Sequence, residues 1–209
     1  MINVVIDLSH HQESVDFERI RRAGVAGVIH KATQGLTYVD RLYAERMSAA
    51  RDAGLLWGAY HFGVGADGSD QADFFLETVK PDAQTLLVLD YEPNLTGPTM
   101  TLNQAREFVE HAQTATERCP GLYSGHLIKE QLSGAPVPDA VLCNCFLWIA
   151  QYNGPKPLNV PPTFRTWTFW QYTDGVHGEE PHRVDGVGLC DRNKFNGSLA
   201  QLQKLWGVA

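Results

Sequence analysis

The chain has 209 residues, of which 44% are hydrophobic and 20% are charged, which is enough for one domain with a buried core. A formal net charge of −7 argues against a nucleic-acid partner, and no apolar run is long enough to cross a membrane. The four cysteines show neither a zinc-type CxxC pair nor a disulfide-dense spacing. Free thiols are therefore expected, since a bridge between Cys143 and Cys145 would be strained.

Short apolar runs alternate with helical patterns over the first two thirds of the chain. They predict strands at 4–7, 27–31, 56–62, 86–92 and 121–124, with helices at 17–23, 41–53, 71–79, 104–118 and 127–132. Thr101 or Asn103 is placed to cap the longest helix. Further on, the pattern predicts strands at 147–151 and 166–172, a last strand ending near Asp191, and a closing helix at 195–206. Four prolines between 153 and 163 exclude a regular helix there.

Strands that alternate with helices favour a mainly parallel sheet with right-handed crossovers. Eight candidate strands favour an α/β fold of the modified TIM-like barrel type, in one domain, with helices mainly after the first five strands. The alternative is an open doubly wound sheet. That fold usually has a glycine-rich turn after its first strand, where this chain has Leu8-Ser9-His10-His11-Gln12.

The strongest candidate site lies at the end of the fourth predicted strand. Asp90 and Glu92 are two residues apart, so a strand points both to one face, together with Leu86 and Val88. Two carboxylates at such a short distance repel each other, so one of them is expected to keep its proton. A protonated carboxyl beside a carboxylate is what glycosidic cleavage requires. A salt-bridged or metal-bound pair is the alternative.

Asp7 and Asp191 are predicted at the ends of the first and last strands, which are neighbours in a closed barrel. Four carboxylates also suit a divalent cation, but no D-x-D-x-D loop accompanies them, so neither a metal nor another cofactor is expected. Further side chains near the same strand ends, of types that stack on sugars or hydrogen bond to them, are Tyr60, Tyr123, Trp148, Trp170 and Gln171. The chain contains no H-E-x-x-H or G-x-S-x-G motif.

Seven segments occur in an order that resembles glycoside hydrolase family 25, the Chalaropsis-type lysozymes of bacteria, phages and fungi. They are VIDLSHHQ at 5–12, IHKATQG at 29–35, GAYHF at 58–62, LDYE at 89–92, LWIAQY at 147–152, WQYT at 170–173 and CDRNKFN at 190–196. The resemblance implies a barrel of five βα units followed by three strands. It also implies hydrolysis of the β-1,4 bond between N-acetylmuramic acid and N-acetylglucosamine in peptidoglycan.

The resemblance assigns the catalytic pair to Asp90 and Glu92. Glu92 corresponds to the general acid and later base, and Asp90 to the group that orients the substrate N-acetyl group. Asp7 and Asp191 match two supporting aspartates, and Tyr60 and Tyr123 match tyrosines that contact substrate. Trp148 and Gln171 are further candidates for substrate contact. Same-face Cβ atoms on a strand are about 6.6 Å apart, which suits a substrate-assisted mechanism with retention of anomeric configuration.

Two positions depart from the family pattern: Gln34 stands where the family often has Glu, and Cys190 where an aliphatic residue often precedes the aspartate.

Residues 1–7 do not look like a signal peptide, so we expect synthesis in the cytoplasm and action on the cell wall after release or non-standard export. Residues 1–209 are expected to form the catalytic barrel alone, without a separate wall-binding domain. The protein is expected to be a monomer. Three alternatives remain: a glycosidase acting on other N-acetylglucosamine polymers, an inactive glycan-binding barrel, and, more distantly, a metal-dependent amidase.

Overall fold

The computed structural model describes residues 1–154 and 158–208. Part of the proline-rich stretch, residues 155–157, lies outside the described residues, and residues 158–163 form neither helix nor strand. No helix in the described ranges is both long and apolar enough to cross a membrane.

Eight strands form the wall of a closed barrel, and three short strands lie outside it. The barrel strands are β1 (Ile2–Leu8), β2 (Gly27–Gln34), β4 (Leu56–Phe62), β5 (Thr85–Asp90), β6 (Gly121–Ser124), β7 (Leu147–Ala150), β8 (Phe169–Thr173) and β11 (Asp191–Phe195). The short strands are β3 (Tyr38–Val39), which pairs with β2, and the hairpin of β9 (Arg183–Val184) and β10 (Gly188–Leu189). These three short strands were not predicted.

Six helices accompany the described strands. They are α1 (Phe17–Arg22), α2 (Tyr43–Asp52), α3 (Gly68–Val79), α4 (Leu102–Thr116), α5 (His126–Leu132) and α6 (Leu199–Leu205). Helices α1 to α5 each follow one of the first five barrel strands, which confirms the predicted five βα units followed by three strands. Thr101 caps α4 through a reciprocal pair of hydrogen bonds with Gln104, as one of the two predicted caps.

Parallel pairing runs from β1 through β2, β4, β5, β6 and β7 to β8. The last strand, β11, closes the barrel by pairing antiparallel with both β8 and β1. The prediction that the last strand ends near Asp191 is therefore wrong: β11 begins there. Because β11 runs antiparallel, its first residue lies at the same barrel end as the last residues of the parallel strands, and Asp191 is paired with Asp7.

The barrel interior is apolar at its amino end and polar at its carboxyl end. Val5, Val88 and Phe169 are among the buried side chains that fill it. Trp206, directly after α6, seals the amino end by contacting the Phe169 ring and donating its indole N–H to the Trp57 carbonyl at 2.9 Å. Deep burial of these side chains holds the wall in place. The carboxyl end is left as the open mouth.

A larger apolar core lies between the wall and helices α1 to α5, where it buries alternate residues of the same strands. Leu87, Leu89 and Tyr91 point into this outer core, whereas Leu86 and Val88 point into the barrel. The predicted alternation along β5 is confirmed. The strand ends at Asp90, earlier than predicted, and Glu92 lies just beyond it.

Candidate active site

A cavity of about 200 Å³ opens at the carboxyl end of the barrel. Its lining contains all eight residues predicted for the site: Asp7, Tyr60, Asp90, Glu92, Tyr123, Trp148, Gln171 and Asp191. These residues come from β1, β4, β5, β6, β7, β8 and β11 or directly follow them. The closed barrel therefore brings together side chains that are up to 184 residues apart in the sequence.

Asp90 and Glu92 share one wall of the cavity. Burial, followed by the charge of Glu92, raises the pKa of Asp90 well above its usual value. Burial, followed by the charge of Asp7, raises the pKa of Glu92 as well. The Asp90 Oδ1 atom is buried and has no hydrogen-bond partner in the described part of the chain. This wall thus combines a carboxyl group that can donate a proton with a carboxyl oxygen that is free to accept a hydrogen bond.

Asp7 and Asp191 form a hydrogen-bonded carboxyl pair across β1 and β11. Burial and the neighbouring charge of Asp7 raise the pKa of Asp191 to about 9. Burial and the charge of Asp7 therefore favour the protonated form of Asp191. Burial also raises the pKa of Asp7, against the opposite effect of hydrogen bonds from Asn193 and Gln171.

Two buried amides fix the orientation of Asp7. Gln171 Nε2 donates to both Asp7 carboxyl oxygens at 3.0 Å, and Asn193 Nδ2 donates to Oδ2 at 2.8 Å. Each amide oxygen in turn accepts from an aromatic side chain. The Tyr123 hydroxyl donates to Gln171 Oε1 at 2.7 Å, and the Trp148 indole N–H donates to Asn193 Oδ1 at 2.7 Å. The floor of the cavity is therefore one connected polar network with few alternative arrangements.

Gln171→Met is expected to lower kcat/KM by about 10- to 100-fold, because Asp7 loses two hydrogen bonds and the Tyr123 hydroxyl loses its acceptor. Release of reducing ends from the glycan substrate measures the effect. Gln71→Met is the matched control, since Gln71 is also fully buried and donates to Val64 and Ala66, away from the cavity. Equal loss of activity in the two variants, well below both melting temperatures, would show that only stability had changed.

Tyr152 and Asp174 also line the cavity and were not predicted. Tyr152 donates its hydroxyl to Gln171 Oε1 at 2.5 Å. Counting in steps of two from the inward-facing Trp148 reaches position 152, so strand alternation contained a signal for it. Asp174 lies in the loop after β8, where it accepts from the backbone of Val176 and His177. No sequence pattern distinguished it.

Trp170 does not line the cavity, although it was considered with the other aromatic residues at the strand ends. Its ring belongs to the outer core, its indole N–H donates to the Gln151 carbonyl at 2.8 Å, and the Lys194 ammonium lies 4.4 Å from its centroid. Tyr123, Trp148 and Gln171 do line the cavity but are at most 8% exposed. They form its floor, and their contact with substrate stays a prediction.

Gln34, which departs from the family pattern, accepts a hydrogen bond from Lys31 Nζ at 2.7 Å. Lys31 lies near enough to Asp90 that its positive charge lowers the pKa of Asp90 and partly offsets the effect of burial.

Within residues 1–154 and 158–208, no group of three or more His, Cys, Asp and Glu side chains is arranged to hold a metal ion.

An α/β barrel whose carboxyl-end cavity contains a buried carboxyl pair and tyrosines is typical of enzymes that hydrolyse glycosides. The chain belongs to glycosyl hydrolases family 25, whose family model matches residues 6–180. It is therefore a glycoside hydrolase, and the family predicted from the seven segments is confirmed.

Individual relatives agree along nearly the whole chain. Lysozyme M1 of Streptomyces globisporus is 34% identical over 96% of this chain and 70% of its own length. The crystal structure of the bacterial lysozyme from Streptomyces coelicolor is 32% identical, with a TM-score of 0.82 over 100% of this chain and 98% of that one. The muramidase from Acremonium alcalophilum is 28% identical, with a TM-score of 0.81 over the full length of both chains.

Proposed function

We propose that this protein is a peptidoglycan hydrolase that cleaves the β-1,4 bond between N-acetylmuramic acid and N-acetylglucosamine. The observation that carries the proposal is the placement of Asp90 and Glu92 in one cavity with Asp7, Asp191 and Tyr60. Membership of family 25 and the similarity to lysozymes and a muramidase support the same substrate.

In the first step, Glu92 donates its proton to the glycosidic oxygen as the bond to the anomeric carbon breaks. Its raised pKa, caused by burial and by Asp7, keeps this proton available at mildly acidic pH. The carbonyl oxygen of the substrate's own 2-acetamido group attacks the anomeric carbon from the opposite side. The leaving sugar departs with a new hydroxyl, and a cyclic oxazolinium intermediate remains.

Asp90 orients the acetamido group during this attack. Asp90 acts as a carboxylate while Glu92 holds its proton, because the charge of Glu92 then no longer raises the pKa of Asp90 and the charge of Lys31 still lowers it. The buried Oδ1 of Asp90, which has no partner in the described chain, accepts the acetamido N–H, and the carboxylate stabilises the positive charge that develops. In the second step, ionised Glu92 takes a proton from water, and the resulting hydroxide opens the ring at the anomeric carbon. Two inversions give net retention, so the first product is the β-anomer.

The proposal is tested by digesting purified peptidoglycan and identifying borohydride-reduced products by mass spectrometry. Products that end in reduced muramic acid are expected. Products that end in reduced glucosamine would assign the enzyme to the glucosaminidases, and cleavage of chitin oligomers in preference to peptidoglycan would favour the wider substrate class. Binding of peptidoglycan without release of reducing ends would identify an inactive barrel.

Proton NMR of the fresh digest tests the stereochemistry separately. The β-anomer of the new reducing end is expected to appear before mutarotation produces the α-anomer. Initial formation of the α-anomer would rule out substrate assistance and leave direct attack by water as the mechanism.

A further inference from the structure

Two thiols face each other at the amino end of the barrel, opposite the catalytic mouth. Cys119 lies between α4 and β6, and Cys145 lies two residues before β7. Their Sγ atoms are 3.6 Å apart, a distance at which either thiol can donate a hydrogen bond to the other. No sequence pattern pairs these two cysteines, because 26 positions separate them and Cys143 is closer to Cys145 along the chain.

Strand pairing brings these two cysteines together. In the parallel pair β6 and β7, Leu122 lies beside Leu147, and the Leu122 N–H donates to the Phe146 carbonyl at 2.9 Å. Neighbouring strands are about 4.8 Å apart, which falls within the Cα separation that a disulfide spans. Extending this register beyond the strands places Cys145 beside Pro120, one residue after Cys119, and the two side chains meet there.

The chain on both sides is held in place by other contacts. Arg118 donates to the carbonyls of Ala83 and Asp82 at 2.9 Å each, and the Cys145 N–H donates to the Leu142 carbonyl at 3.1 Å. The two sulfurs therefore meet because the fold places them together. A disulfide requires them to approach to about 2.05 Å, which small side-chain rotations can supply.

We propose that Cys119 and Cys145 are an oxidisable pair that forms an intramolecular disulfide when the protein meets a low-molecular-weight disulfide such as oxidised glutathione. The Cys119 thiolate attacks one sulfur of the reagent and releases one thiolate, which leaves a mixed disulfide on Cys119. Cys145 then loses its proton and attacks the Cys119 sulfur, which releases the second thiol. Two protein thiols are oxidised and one reagent disulfide is reduced to two thiols.

The surroundings of the two sulfurs suit these roles. Cys119 is partly exposed, and the hydrogen bond from Cys145 lowers the pKa of its thiol, which favours the attacking thiolate. Cys145 is buried, and the pKa of its thiol is raised by the hydrogen bond to Cys119 and then by burial, which suits the second step within the molecule. The reagent reaches Cys119 through the exposed part of that side chain, and Cys145 lines a neighbouring depression of about 550 Å³.

The disulfide would link the amino ends of β6 and β7. These are the two strands that carry Tyr123 and Trp148 to the cavity floor. Closing a loop of this length restricts the unfolded chain, and the expected rise in melting temperature is about 5–10 °C. Cys143 and Cys190 take no part in this bond, because Cys143 is exposed on the protein surface and Cys190 lies beside Asp191 at the other end of the barrel.

The test equilibrates the purified wild type with oxidised glutathione, blocks the remaining thiols under denaturing conditions and maps the peptides by mass spectrometry. The thiol count is expected to fall from four to two, with Cys119 linked to Cys145, and the rise in melting temperature should disappear after reduction. Because only Asn144 separates Cys143 from Cys145, the map is repeated on Cys143→Ser, which is the matched control and should behave like the wild type.

Cys119→Ser should lose both the link and the stabilisation. The disulfide map of the wild-type protein tests the proposal without any variant, so the test remains valid even if a cysteine variant folds poorly. Persistence of four free thiols, a stable glutathione adduct on Cys119 or a link between Cys143 and Cys145 would each overturn the proposal.

Discussion

Glu92→Gln is expected to lower kcat for peptidoglycan cleavage by a factor of about 10²–10⁴, because the glutamine amide has no acidic proton to transfer to the leaving oxygen. The amide has nearly the same shape as the acid, so the cavity should remain intact. Initial rates of reducing-end release at saturating substrate measure the effect. The melting temperature of the variant should be equal to that of the wild type or higher, because a buried charge with a raised pKa is removed.

The control for this substitution is Glu110→Gln on the exposed face of α4, which removes the same charge far from the mouth and should leave kcat unchanged.

The pH profile of the activity shows whether Glu92 donates a proton or only positions the substrate. Wild-type activity should fall on the alkaline side as Glu92 ionises, and the residual activity of Glu92→Gln should lack this alkaline limb. A variant that kept a tenth of the activity, with the same alkaline limb, would assign the acid to another group.

Local sequence patterns predicted the parts of the fold that depend on short-range physics. Strands β4 and β6 begin and end where the apolar runs predicted, and Asp7 and Asp90 were recognised as carboxylates at strand ends. In contrast, β11 has the polar sequence Asp191-Arg192-Asn193-Lys194-Phe195. Its pairing with β1 and β8 decides that it is a strand, and Asn193 and Phe195 are buried there. That pairing is a long-range property, so the predicted boundary was wrong.

The same limit applies to the cavity floor. The carboxylates were predicted because acidic residues after apolar strands are conspicuous, and the resemblance assigned their roles. The hydrogen bonds from Gln171 and Asn193 to Asp7 depend on the closure of the barrel by an antiparallel strand. Nothing local to position 193 indicates that its amide will meet an aspartate 186 residues away. Function was therefore predictable from motifs, whereas the network that orients Asp7 was not.

Asp90→Asn is expected to abolish most activity and to stabilise the protein at neutral pH. The pKa of Asp90 in the folded state is raised by burial and by Glu92, so the folded state binds more protons than the unfolded state above the ordinary pKa of 3.8. The resulting loss of stability is absent below pH 3.8, grows as the pH rises, and is complete above the folded-state pKa. Removing the carboxylate should therefore raise the free energy of unfolding by about 1–3 kcal/mol at pH 8, with a smaller gain at pH 5.

Urea denaturation of the wild type and Asp90→Asn at both pH values measures this difference. Asp52→Asn, at the exposed end of α2, is the matched control and should change stability by less than about 0.5 kcal/mol at either pH. A gain that did not grow with pH, or a loss at both pH values, would contradict the assignment of a raised pKa to Asp90.

Comparing variant with wild type also removes an opposing effect. Burial lowers the pKa values of His30 and His61 to about 4, so the unfolded state binds more protons between about pH 6.5 and pH 4. Both histidines therefore destabilise the fold as the pH falls through this range. Their effect is common to the wild type and Asp90→Asn, and it cancels in the difference. The stability curve of the wild type alone combines the opposite effects of the histidines and of Asp90, whereas the difference curve reports Asp90 and the carboxyl groups coupled to it.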